Sequence, residues 1–172
     1  EDGHGRIWFG SVTGHLNYMG LSGSEVIRTP EGHASETARS IDVIIGMKYD
    51  PINDYIWIAA RNGLYYYDIV HSTYTRYPGK TSSCLGLCIA SDHLWVSSME
   101  GLSIIDLNTL ESRTLAGFPY SMSLLPDGDT LWAGTYGYGL YRVDDCLSGN
   151  PDIKVYSEED GLADNQVQSL LL

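Results

Sequence analysis

Arg6-Ile7-Trp8-Phe9-Gly10 is the first of four copies of one phrase. The others are Tyr55-Ile56-Trp57-Ile58-Ala59, His93-Leu94-Trp95-Val96-Ser97 and Thr130-Leu131-Trp132-Ala133-Gly134, and together they hold every tryptophan of the chain. The tryptophans lie 49, 38 and 37 residues apart, and each is followed within six or seven residues by a glycine (Gly14, Gly63, Gly101, Gly139). A period of about 40 residues marks one supersecondary unit copied along the chain.

Working outward, each phrase reads as a strand: 7–12, 55–60, 93–98 and 130–135. Turn formers precede them (Asp2-Gly3-His4-Gly5, Asp50 to Asp54, Ser91-Asp92, Pro126 to Asp129), and the following glycines mark hairpins, most plainly Asn62-Gly63. A second strand follows each hairpin, at 15–19, 64–69, 102–107 and 140–143. A more polar third comes next, at 25–28, 74–77, 112–115 and 153–156, suited to an edge with one wet face. Before the phrases of the second to fourth units run apolar segments at 41–49, 85–90 and 121–125. Their small residues (Gly46, Gly86, Ser123) suit the crowded inner strand of a radial sheet. The first unit has no such segment, and 167–172 reads as an inner strand with no phrase after it. No stretch shows helical periodicity.

Four-stranded antiparallel units at this period predict an all-β fold, a β-propeller segment of about four blades. The expected boundaries are 1–40 plus 167–172 for blade 1, 41–83 for blade 2, 84–119 for blade 3 and 120–166 for blade 4. The last strand is offset, so that it completes the first blade or a neighbour.

The bulk numbers agree with a globular domain: 172 residues, 43% hydrophobic and 19% charged. A net charge of −12 repels phosphate backbones and anionic membrane surfaces, which argues against nucleic acid and membrane partners. No apolar run is long enough to span a bilayer. The chain opens at Glu1 without Met, which reads as an excised segment. Of three cysteines, Cys84 and Cys88 would share a strand face ~13 Å apart, too far to bridge, and all three read as small buried hydrophobes.

With the units laid out, the chain resembles the two-component regulator propeller repeat. Glu1 to Gly10 and Gly128 to Thr135 look like that repeat's core, the latter continuing into Gly139-Leu140-Tyr141-Arg142. The closing stretch, Tyr156 through Gly161-Leu162 and Asn165 to Val167, resembles its link from an outer strand to the next inner strand. Units two and three depart from the pattern, with Ala59-Ala60 and Ser97-Ser98 in place of Gly-Thr. The resemblance implies the periplasmic sensor region of a hybrid histidine kinase from gut Bacteroidetes, in which this chain is part of a longer propeller. It further implies a non-catalytic segment whose ligand is an oligosaccharide.

The residues themselves offer little covalent chemistry. The five histidines are scattered, no His-Glu-x-x-His or Gly-x-Ser-x-Gly is present, and Gly134 to Gly139 lacks the Lys-Ser/Thr of a phosphate loop. Asp127-Gly128-Asp129 and Glu158-Glu159-Asp160 are too short for a calcium loop, so no metal or cofactor is expected. Tyrosine is enriched, with 13 copies against two phenylalanines, and offers flat faces for stacking on sugars or for packing between blades.

In a propeller the links from outer to inner strands converge on one mouth of the channel. Arg39, Ser83, Tyr120 and Asn165 stand at the ends of these links and are the candidate ligand-binding residues. Two rivals stay open: a propeller lyase, which would need His, Glu or Lys clustered at one mouth, and a scaffold that self-associates or binds further blades.

Overall fold

The computed structural model describes residues 1–20, 25–29, 41–79 and 82–172. They form fifteen strands in four antiparallel meanders. The first has three strands, β1 (Arg6–Gly10), β2 (Leu16–Gly20) and β3 (Ile27–Arg28). Blade 2 runs β4 (Ile44–Asp50), β5 (Tyr55–Ala60), β6 (Gly63–Asp68) and β7 (Thr73–Arg76). Blade 3 runs β8 (Leu87–Ala90), β9 (His93–Ser98), β10 (Gly101–Asp106) and β11 (Ser112–Ala116). Blade 4 runs β12 (Ser121–Asp127), β13 (Thr130–Thr135), β14 (Leu140–Asp144) and β15 (Asp152–Tyr156). The described residues hold no α-helix, only one 3-10 turn at Glu158–Asp160.

The Trp phrases are the second strand of blades 2 to 4 and the first of the three strands of blade 1, and they show why this sequence makes this fold. Both faces of such a strand are buried, with alternate residues serving different cores. Ile56, Ile58 and Ala60 pack toward blade 1 with Leu16 and Tyr65, while Trp57 and Ala59 pack toward blade 3 with Leu94 and Val96. Trp95 in turn faces blade 4, among Leu131, Ala133 and Val143. The core is therefore three inter-blade layers, with each Trp facing the blade that follows it.

That rule explains the two ends. Ile7 holds the place of Ile56 but has no blade behind it, and is 42% exposed where Ile56 is 2%. Trp132 has no blade in front, and is half-buried under Arg142 and Tyr156 where Trp57 and Trp95 are buried. The inner strands neighbour one another in chain order, β4 with β8 and β8 with β12, and β4 also borders β1, the Trp strand of the three-stranded first blade. The sheets form an arc and do not close into a ring.

The small residues of the inner strands earn their place by crowding. A Cβ on Gly86 would lie 3.1 Å from the Ser121 carbonyl of the next blade. At the hairpins the constraint is the backbone: Gly101 sits at φ +123°, and a Cβ there would lie 2.4 Å from the Leu115 carbonyl.

Residues 167–172, expected as a strand completing the first blade or a neighbour, form no strand here. Their path is still that of an inner strand leaving one blade for the next. The Val167 amide donates to the Thr135 carbonyl at 2.9 Å, as Cys84 does to Ala60 at 3.1 Å and Ile44 to Ser11 at 3.4 Å. Each acceptor is the third residue after its tryptophan, so 167 lies on the far side of blade 4 rather than against β1.

Candidate functional site

Antiparallel meanders sort the connections onto two faces. The turns from first to second and from third to fourth strand lie on one face. The second-to-third hairpins and the inter-blade links lie on the other. Ser83, Tyr120 and Asn165 are all on this link face. Arg39, with most of the link that precedes blade 2, lies outside the described residues.

Two of the three come together. The Ser83 and Tyr120 hydroxyls lie 3.0 Å apart across two successive links, joining the entry to blade 3 with the entry to blade 4. Ser83 has a left-handed backbone, φ +45°, which is costly for a residue other than glycine. The bend comes where the link is seated on the blade 3 hairpin. There Ser82 donates its amide to Glu100 at 3.0 Å and its hydroxyl to the other carboxylate oxygen, and accepts from the Met99 amide. The Ser82 donors hold the Glu100 carboxyl below the usual range against a smaller opposing effect of burial, so it is an ionised acceptor on this face.

Asn165 does something different. Its side-chain oxygen accepts from the Glu158 amide at 2.9 Å, its own amide donates to the Glu158 carboxylate at 3.1 Å, and its carbonyl accepts from Gly139 at 2.8 Å. These bonds brace the last link around its 3-10 turn, which Ser157 and Asp160 cap and Gly161 ends in a left-handed conformation.

Beside Tyr120 stands an aromatic pair. The blade 4 hairpin carries Tyr136 and Tyr138, 60% and 63% exposed, and the Tyr136 amide donates to the Tyr120 carbonyl at 3.3 Å. Most of the other tyrosines are packed: Tyr55 stacks on Tyr66, Tyr67 packs tilted against Tyr74, and the Tyr77 hydroxyl bonds the Leu110 carbonyl. The link face thus presents two exposed tyrosine faces, a tied pair of hydroxyls and, beside them, the Glu100 carboxylate. Among the described residues no three of His, Cys, Asp and Glu gather to hold a metal ion.

The turn face holds what the sequence reading missed. Asp2 and Asp50 were read as turn formers, yet each clasps a tryptophan. Asp2 accepts from the Trp8 indole at 2.6 Å, Arg6 Nε at 2.7 Å and the amides of His4 and Arg6. Burial pushes its carboxyl up, and these donors outweigh burial and leave it below the usual range. Asp50, fully buried, accepts from the Trp57 indole at 3.2 Å, Asn53 Nδ2 at 2.9 Å and the amides of Ile52 and Asn53. The available signal was an Asp six or seven residues ahead of the Trp.

With this geometry in place, the likeness to solved structures can be read. The extracellular domain of BT4673 of B. thetaiotaomicron, described both as a one-component and as a hybrid two-component system, superposes with a TM-score of 0.78 at 17% identity, over 99% of this chain and 24% of that one. The extracellular domain of BT3049, a hybrid two-component system of the same organism, gives 0.68 at 20% identity, over 91% of this chain and 24% of that one. This chain shares their fold. It spans about a quarter of the length of either. The computationally designed protein Ika8 gives 0.64 at 10% identity, over 87% of this chain and 45% of that one. At these identities the likeness is one of fold. No protein-family model matches the chain, and no curated protein matches it.

Proposed function

We propose that this chain is a ligand-sensing portion of an extracytoplasmic propeller in a two-component sensor, that it binds an oligosaccharide on its link face, and that it performs no covalent chemistry. The observation that carries the reading is the exposed Tyr136–Tyr138 pair beside the joined Ser83 and Tyr120 hydroxyls. Tyrosine gives a rigid apolar face to a sugar ring at little entropic cost, while hydroxyls and the Glu100 carboxylate exchange hydrogen bonds with sugar hydroxyls. The fold shared with extracellular domains of B. thetaiotaomicron signalling systems supports the sensory role and a place outside the cytoplasm. Because the Ser83–Tyr120 contact ties successive blades, a ligand that prefers one arrangement of the two links would bias the signalling state.

A thermal-shift screen against plant and host oligosaccharides tests this. At least one glycan should raise the melting temperature saturably, and Tyr136→Ala with Tyr138→Ala should weaken it about tenfold or more, the loss of two stacking contacts. No stabilisation by any glycan at millimolar concentration, or stabilisation indifferent to both substitutions, would remove the link face as the site.

A further inference from the structure

The turn face holds a cavity of about 190 Å³ between blades 3 and 4, lined by Ala90, Trp95, Asp129, Leu131, Cys146 and Leu147 among others. Its origin lies in the strand register. Asp50 pairs with Tyr55, two residues before Trp57, while the residue paired two before Trp95 is Ala90. Where blade 2 places a carboxylate on its indole, blade 3 places a methyl group. The turn differs as well. Blade 2 uses four residues between its first two strands, including Asn53, whose side chain reaches on to the Leu107 carbonyl of blade 3 at 2.7 Å. Blade 3 uses only Ser91-Asp92.

The rear wall is the same in both places. Leu107 is held by its amide on the Asp92 carbonyl, and Cys146, its counterpart one blade on, by its amide on Asp129. Asp50 and Asn53 occupy the space between indole and rear wall at the earlier interface. At the later one nothing replaces them. Trp95 is 2% exposed and lines the cavity, and its indole N–H finds no acceptor among the described residues. Among the described residues only Arg6 Nη2 is a side-chain donor sealed from water without a partner, so the Trp95 N–H is open to the cavity and an entering acceptor can meet it there.

We propose that this cavity is a second ligand site, taking a small uncharged ring that presents a carbonyl or similar acceptor to the Trp95 indole. The size is adequate, since a dry apolar cavity of about 150 Å³ takes up benzene. Leu131 and Leu147 offer an apolar body for the ring, and burial keeps the Cys146 thiol protonated and neutral. The carboxylates of Asp129 and Asp145 at the lining disfavour anions. The site is independent of the link face, so the Tyr136 and Tyr138 substitutions leave it intact.

The probe is benzamide, with benzoate as its anionic isostere, read on the four tryptophan indole signals in ¹⁵N–¹H correlation spectra of the full chain. The Trp95 signal should move saturably with benzamide while that of Trp57, capped by Asp50, stays fixed, and benzoate should bind about tenfold more weakly or worse. Ala90→Asn supplies the missing acceptor as a neutral amide, the better plug because a carboxylate would arrive without the three donors that Asp50 has besides its indole; it should abolish the shift. Leu147→Trp, which closes the mouth from the surface, should do the same if the first variant folds poorly. The proposal is overturned if benzamide at millimolar concentration leaves the Trp95 signal in place, which is solvent filling only. It is equally overturned if the shift survives both substitutions, or if Trp57 moves as much as Trp95.

Discussion

The interface between blades 2 and 3 and the interface between blades 3 and 4 are built from the same parts, and only the first is closed at its turn end. Each has a buried tryptophan from the second strand of the earlier blade, facing aliphatic residues of the later one. At the first, Asp50 accepts a hydrogen bond from the indole N–H and Asn53 carries the network to Leu107. At the second, Ala90 and a two-residue turn leave the Trp95 indole over a cavity. A repeat fold thus keeps its blade-to-blade packing while one position decides whether a given interface is a joint or a pocket.

The sharpest way to break this comparison is to make the closed interface resemble the open one. Asp50→Ala strands the Trp57 N–H, the Asn53 amide and two backbone amides in a buried site. We expect a loss of about 3 kcal/mol, read as a lower denaturant midpoint with unchanged slope. A loss below about 1 kcal/mol would mean that water replaces the clasp at no cost, and that the two interfaces differ in shape alone. The next effect is smaller. Asn53→Ala removes the bridge to Leu107 and should cost about 1 kcal/mol. The pair Asp50→Ala with Asn53→Ala should then cost clearly less than the sum, because the residues act as one network. Strict additivity would show that Asn53 stabilises its own turn only.

The sequence made the blades legible because both faces of the Trp strands are buried and the hairpins follow fixed glycines. Strands 93–98 and 130–135 fall where the phrases put them. Inner strands begin later than their apolar runs suggest, at Ile44 and Leu87 rather than 41 and 85. Around these starts the chain bonds both blades, Cys84 and Ile44 the preceding one at Ala60 and Ser11, Leu85 and Gly86 their own at Ser97. At the link face, position along the chain was enough to put Ser83 and Tyr120 on one face, where their hydroxyls meet, since links of successive blades converge. The bracing role of Asn165 was hidden, because it depends on a 3-10 turn of three residues. The clasp and the cavity were hidden for a different reason. They depend on which inner-strand residue lies opposite the position two before each Trp, and turn length shifts that pairing by an amount that alternation of apolar residues does not report.

The clasp at the start of the chain gives the mildest test, through pH. Asp2 holds the Trp8 indole, the Arg6 guanidinium and two amides, and its carboxyl in the folded state lies below its ordinary value of 3.8. A depressed folded value means stability that is fully present above the unfolded value and lost as pH falls through the folded one. Unfolding free energy should therefore decline on the acid side, and Asp2→Asn, which cannot titrate, should remove part of that decline. The two chains should differ most near neutrality and converge as pH falls below the ordinary Asp value of 3.8. Parallel curves across that range would show that Asp2 gains nothing from its donors as a charge. The Asp–Trp clasp would then be a matter of fit, and the cavity at Trp95 would lack a missing acceptor to fill.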